Sequence, residues 1–548
     1  MSTDALAPAD VPPAAAIPQD HIRALTELGH RHYRQKRFED AAACFARAIA
    51  LQPDNPSFHH TLGATLGNLS HLKEAEVCFR RALNLSPDNP EALANLGHVL
   101  REQDRFEEAA RCFARAIVLQ PSRPDVHNAL GVVFSNLTRH KEAEVCFRRA
   151  LNLNPNHTEA LTNLGIKLRQ RDGFVEAEAL HRRALAVAPD FADAWWHLGV
   201  TLREQGRLVE ALDCYRRAIA IAPDHRDANL SLGLALLAVG DIPAGSAAYE
   251  ARYGMGAKRR YPVQNGPLWV WDGRPLPGRT LLLLGEQGLG DVIQFVRYAK
   301  LVRPLVGRLV MRCHPSLRDL VARIPEFDEV IPDTAALPAF DAFIPLLSVM
   351  HALGTTLDTV PAEVPYLTAD PGRTAALAPR FPAEGLKVGI VWAGSTQHLG
   401  DARRSLPLTA LAPILDMPDV RFVSLQVGAR SAELRESPWA ERVLDLTSEL
   451  GNFADTAAAL HHLDLVISID TSVVHLAGAL GRPAWVLLPL NADWRWLRDR
   501  TDSPWYPSLR LYRQDEVLQW APVIERVRRD LRTLAAGAPR PGVENSRI

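Results

Sequence analysis

Two short stretches of this sequence hold the residue types that could do chemistry. The first is Gly285-Glu286-Gln287-Gly288-Leu289-Gly290-Asp291. Its glycines let backbone approach a ligand, and a helix starting there offers free N–H groups to an anion. The spacing G-x-x-G-x-G is not that of a dinucleotide-binding turn. Asp291 at its end can cap the following helix or take a proton from a substrate. A helix N-terminus should also hold that carboxyl low, ionised but weakly basic. The second stretch is Ile469-Asp470-Thr471-Ser472-Val473-Val474-His475-Leu476-Ala477-Gly478. A buried strand runs into a helix whose first turn carries an acid and two hydroxyls, a combination that suits a diphosphate. Thr471 and His475 are four residues apart and share a helix face. Singly, Asp470 or Thr471 can be a cap and His475 a core residue; together at a strand end they favour a ligand.

Other candidates lie nearby. Arg403 or Arg404, in Asp401-Ala402-Arg403-Arg404-Ser405, could steady a departing diphosphate or could be solvated loop arginines. The aromatic segments 491–497 and 503–507 could line a sugar or base pocket; packing between lobes is the favoured reading.

The elements that must position these residues are apolar runs followed by helices. Strands are expected at 280–284, 308–312, 342–344, 387–392, 421–425, 463–469 and 484–488, with helices at 292–302 and 518–534. This alternation in two blocks predicts two parallel α/β lobes, 256–385 and 386–535, with a cleft between them. Ligands of such sheets bind at the strand C-terminal ends, where both chemical stretches fall.

Before residue 256 the pattern is periodic. Pro53, Pro87, Pro121, Pro155, Pro189 and Pro223 are 34 residues apart, and Gly29 through Gly233 keep the same step. Leu-Gly recurs in a first helix, and an alanine followed four residues later by Phe, His or Tyr recurs in a second. A glycine within a helix costs about 1 kcal/mol against alanine, so its repetition implies close helix approach. These slots are core; His181, standing where Phe45, Phe79, Phe113 and Phe147 stand, reads as a packed histidine. The array resembles the tetratricopeptide repeat (TPR), with six clear units and a seventh, degenerate one over 22–255. The concave face is then built from first helices, and its sixth slots include Asn95 and Asn163. They resemble the asparagine ladder with which TPR-bearing protein O-glycosyltransferases grip a peptide; an ordinary solvated groove is the alternative.

Residues 285–291, 388–395 and 470–478 together resemble the heptosyltransferase-like glycosyltransferases (family 9). The resemblance implies a GT-B fold: α + α/β, an N-terminal TPR solenoid followed by two Rossmann-like lobes. It implies a nucleotide-sugar donor held by the C-terminal lobe, and inverting transfer without a metal or other cofactor. It makes Asp291 the general base and assigns donor contacts to Gly288, Gly290, Ser395, Asp470, Thr471, Ser472 and His475. Arg404 takes the catalytic cation's place, where the family often has lysine. An array recruiting the acceptor, through Asn95 and Asn163, points to a polypeptide acceptor. A non-catalytic TPR scaffold, or a transferase acting on lipopolysaccharide core or another glycan, is the alternative.

Composition narrows the classes. Lys and Arg number 62 against 63 Asp and Glu, which gives no electrostatic case for nucleic acid or an anionic membrane. No uncharged apolar run reaches a membrane-helix length. The start is Ala/Pro-rich without the basic and apolar regions of a secretion signal. A cytoplasmic protein is expected, with a disordered leader (1–21) and tail (536–548). Cys44, Cys78, Cys112, Cys146 and Cys214 share one repeat slot instead of clustering, so neither a metal site nor a disulfide is expected.

Overall fold

The structure, a computed structural model, describes residues 19–254, 269–395 and 401–537. Most of the expected leader and tail lies outside these residues, as does the expected boundary at 255/256. The chain divides into two compact units, Met1–Thr201 and Leu202–Ile548.

The first unit consists of helix pairs. Pro56–Asn68 packs on Leu72–Leu85, Pro90–Glu102 on Phe106–Leu119, and Pro124–Asn136 on His140–Leu153. The repeated glycine does what its periodicity implies. A Cβ on Gly131 would lie 2.5 Å from the Phe147 ring, and one on Gly97 would lie 2.9 Å from Phe113. His181 fills the same slot opposite Gly165 and is fully buried. Of the repeated cysteines in this unit, Cys44 and Cys146 are buried and Cys78 and Cys112 half-buried. A further periodic feature lies in the turn between paired helices. Lys36, Ser70, Asp104, Thr138 and Asp172, again 34 apart, have φ between 58° and 61°. Side chains with a Cβ there cost about 1–2 kcal/mol each, and their varied types left no sequence signal.

The second unit opens with helices Leu208–Ile221, Arg226–Ala238 and Ile242–Tyr249. Leu237, Ile242 and Tyr249 enter the same core as the first sheet. That sheet is parallel, with strands β1 (Leu276–Leu284), β2 (Val306–Cys313), β3 (Glu329–Pro332) and β4 (Ala342–Pro345) in the order β3-β2-β1-β4. The second comprises β5 (Leu386–Val391), β6 (Val420–Ser424), β7 (Leu444–Asp445), β8 (Leu465–Ile469), β9 (Ala484–Leu488) and β10 (Leu509–Arg513). Its order is β10-β9-β8-β5-β6-β7, also all parallel. The run Leu281 to Leu284 is at most 2% exposed on both faces, as a central parallel strand requires. Strand order reverses beside β1 and beside β5, so each sheet has a crevice at a switch point. Strands β3, β7 and β10 go beyond the sequence expectation: the first two are short, and the third, Leu-Arg-Leu-Tyr-Arg, is broken by two arginines. The stretch 292–302 is not one helix but Leu289–Phe295, a 3₁₀ turn (Val296–Tyr298) and Ala299–Val302.

Candidate functional site

Both chemical stretches follow central strands, β1 and β8, and the helices they start, Leu289–Phe295 and Ser472–Ala479, meet at their first turns. A Cβ on Gly290 would lie 2.8 Å from His475 Cδ2 and 3.3 Å from Ser472 Cα. Only glycine permits that approach. The two lobes are therefore joined where their strand ends face each other.

Asp291 has two partners. Gly288, not Asp291, is the N-cap of helix Leu289–Phe295; Asp291 stands at its third position, where Oδ2 accepts the Gly288 N–H at 2.7 Å as the return bond of a capping box, and its Oδ1 lies 2.5 Å from an Arg495 nitrogen. Burial pushes this carboxyl up, while Arg495 and the Gly288 N–H pull it down; the net direction is up. The expectation of a lowered value is corrected: loss of water outweighs the short helix's dipole.

Arg495 was missed by sequence reasoning. It is 6% exposed, donates from Nε to Gln294 Oε1 at 2.6 Å and from Nη1 to Asp493 Oδ1 at 2.7 Å, and stacks on Trp494. An arginine between two tryptophans was the available signal, because such a side chain is set up for cation–π contact and burial. Around it Trp494, Trp496, Trp505 and Tyr506 are buried, so the aromatic segments pack as expected.

On the second turn the assigned residues divide. Asp470 stands at the β5/β8 switch point, where its backbone carbonyl accepts from Arg404 Nη1 at 3.0 Å. Burial and the nearby Asp493 carboxylate push its carboxyl up to about 6. Arg404 also reaches Asp401 at 3.3 Å, whereas Arg403 pairs with Glu204. Thr471 occupies the N-cap position without a side-chain capping bond; its hydroxyl lies 3.1 Å from that of Ser468. Ser472 begins the helix. His475 takes the core alternative. Its Nδ1 lies 3.0 Å from the Tyr506 hydroxyl, its ring stacks on Trp496, and its Nε2 is 4.0 Å from Asp470. Burial holds its pKa well below the usual imidazole value, so it is neutral.

Gly288 and Ser395 are exposed, and Ser395 precedes the undescribed residues 396–400. In the first unit, Asn95 and Asn163 are half-buried. The Asn95 amide lies 3.0 Å from His60 Nε2, and the Asn163 amide donates to Asn128 Oδ1 at 3.0 Å. Each asparagine thus links its repeat to the preceding one.

A cavity of about 330 Å³ opens at the C-terminal ends of β5, β8, β9 and β10. Arg404, Asp470, Asn491, Arg498, Arg513 and Gln514 lie on its walls, with Leu208, Leu234 and Ala238 of the preceding helices closing one side. Asp291, Thr471, Ser472 and His475 are not among its lining residues. Among the described residues no group of His, Cys, Asp and Glu could hold a metal ion. No described helix is long and apolar enough to cross a membrane.

Residues 13–229 match the family described as the cilia and flagella-associated protein 70 C-terminal domain, a TPR domain. Protein FlbA of Caulobacter vibrioides (strain ATCC 19089 / CIP 103742 / CB 15) is 28% identical over 328 residues, 55% of this chain and 54% of that protein. The chain thus spans about half the length of the curated relative it matches. Among solved structures, YrrB, a TPR protein with an unusual peptide-binding site, is 28% identical over 34% of this chain and 97% of its own, with a TM-score of 0.29. PilF of Pseudomonas aeruginosa is 21% identical over 38% and 96% respectively, with a TM-score of 0.35.

Proposed function

We propose that this chain is an inverting glycosyltransferase that moves a sugar from a nucleotide-sugar donor to a polypeptide recruited by its repeat array. The observation that carries the reading is the meeting of the two glycine-containing turns, Gly290 against Ser472 and His475, at the facing C-terminal ends of two parallel sheets. Such ends are where paired α/β lobes hold ligands. In this reading Asp291 accepts the proton of the acceptor hydroxyl as its oxygen attacks the anomeric carbon. The bond from that carbon to the donor diphosphate breaks, and Arg404 offsets the charge that develops on the leaving oxygen. The upward shift of Asp291 makes it a better base than an exposed aspartate. A partner-binding array fits an acceptor with a long main chain; Asn95 and Asn163, whose amides bond His60 and Asn128 in this structure, would have to exchange or share those bonds to grip it.

The test is incubation of the full chain with radiolabelled nucleotide sugars and a cell extract. Label entering protein with the wild type, and lost in folded Asp291→Ala, is the expected result. No transfer and no donor hydrolysis with any sugar would overturn it. That outcome would leave the second reading, a binding scaffold, which the pairing of Asp291 with Arg495 and Gly288 favours because those contacts give the aspartate a structural role.

A further inference from the structure

The second sheet has a further cavity, of about 700 Å³, at the opposite end of its strands from Asp470. One side comes from Ala457 and His461 of the helix Phe453–His461, which precedes β8, and from Leu480 and Arg482, which precede β9. The cavity shares no lining residue with the one at the C-terminal strand ends. Its other side is the segment 365–375, which lies between the last strand of the first sheet and the first of the second. Two contacts hold that segment on the second lobe. The Tyr366 and Leu367 N–H groups donate to Ala479 O at 3.0 and 3.3 Å, and His462 Nε2 donates to Thr374 O at 2.8 Å.

No carboxylate lines this cavity, and Pro365, Leu367, Ala369, Ala457 and Leu480 make its walls largely apolar. Arg482 is half-buried there and pairs with no carboxylate among the described residues. Its side chain donates instead to His461 Nδ1, at 2.9 Å. A guanidinium only donates, so this imidazole is neutral and carries its proton on Nε2. Burial, Arg482 and His462 hold its pKa below the ordinary value, which keeps it neutral. The remaining Arg482 N–H groups and the His461 Nε2–H have no protein acceptor among the described residues.

We infer that this cavity binds a small monocarboxylic acid with an apolar body, its carboxylate on the Arg482 guanidinium and its body against Leu367, Ala457 and Leu480. Charge complementarity selects an anion, since a cation would meet Arg482 with no carboxylate to offset it. One guanidinium fork matches one carboxylate, whereas a phosphate dianion in an apolar cleft needs more than one cation. The volume is that of an ordinary ligand pocket, about 300–1,000 Å³ with apolar walls and few polar groups. The segment 365–375 also carries Arg373, whose guanidinium reaches Asp319 of the first lobe at 2.9 Å and Asp455 of the second at 2.5 Å. The bound acid thus rests against the chain that ties the lobes together. Nothing in this site depends on sugar transfer.

Calorimetry on the full chain tests it, with octanoate and 3-phenylpropionate as probes and octanamide as the uncharged control. Saturable binding of one acid per chain is expected, at least tenfold tighter than octanamide and weakened by salt. Arg482→Gln should bind at least tenfold more weakly. Arg482→Lys should fall between that variant and the wild type, because an ammonium keeps the charge but not the fork; it also serves if the glutamine variant fails to fold. Hydrogen exchange locates the acid: octanoate should slow exchange in 365–377 and in Phe453–His461. Slowing confined to the C-terminal ends of β8 and β9 would assign the acid to the arginine-lined cavity and overturn the site. So would octanamide binding as tight as that of octanoate, no binding of either acid by the wild type, or undiminished binding by folded Arg482→Gln.

Discussion

Arg495, on the loop after β9, places its guanidinium against Asp291, on the turn after β1, so that one buried ion pair ties the two sheets together. The same guanidinium reaches Asp493. Removing the cation leaves a buried carboxylate without its counter-ion, a loss of about 3–5 kcal/mol. Arg495→Met should therefore lower the urea midpoint of the second unit sharply and raise the Asp291 pKa further. In a transferase that raise moves the acid limb of the kcat/KM profile to higher pH. Arg495→Lys should restore little, because an ammonium cannot present a planar fork to Asp291, Asp493 and Gln294 together. A lysine variant with wild-type stability would show that charge alone matters here.

Asp291→Asn separates the two roles of the aspartate. Asparagine keeps a side-chain oxygen that can accept the Gly288 N–H, so the turn should survive with a cost near that of the lost ion pair. It cannot take a proton, and transfer should fall by about 10²–10⁴-fold. Measured kcat with saturating donor decides the matter: a drop of less than about threefold would leave Asp291 with its capping-box bond alone.

Gly290→Ala tests the approach of the turns. The new methyl would meet the His475 ring and the Ser472 backbone, and overpacking of this kind costs about 1–3 kcal/mol. Gly67, at the end of helix Pro56–Asn68, has nothing within 4 Å of its missing Cβ. Gly67→Ala should instead gain about 0.5–1 kcal/mol. Thermal melts of the two variants should move in opposite directions; a shared direction would refute the packing argument.

Much of this was legible because repetition and burial leave marks on a sequence. The 34-residue step shows the helix pairs, and four consecutive leucines show β1. The glycine turns show where two strands end, since a strand-to-helix turn near a neighbour needs glycine. What stayed hidden depends on three-dimensional meeting. Arg495, Arg498 and Arg513 are arginines among 62 basic residues, and only the fold puts them beside Asp291 or the cavity. His475 reads, with its neighbours at the strand end, as a ligand contact until Trp496 and Tyr506, distant in sequence, are seen around it. Strands β3 and β7 are too short to carry a pattern.

His181 gives the repeat array a pH dependence of known sign. Neither ring nitrogen has a hydrogen-bond partner, and burial pushes its pKa down to about 3 from an ordinary value of 6.5. The folded state therefore binds fewer protons than the unfolded chain between those values, and stability falls as pH drops through that window. The slope is about 1.4 kcal/mol per pH unit once the unfolded histidine is charged. Phenylalanine fills this slot in four other repeats and has no polar atoms to desolvate. His181→Phe should be more stable by about 1–3 kcal/mol at pH 7, and its advantage should widen on acidification below pH 6.5. Hydrogen exchange of the helix Phe174–Val187 in the full chain, measured from pH 7.5 to 4.5 and corrected for intrinsic rates, reads the difference. If the two proteins lose protection in parallel across that range, the buried imidazole is not the source of the acid sensitivity.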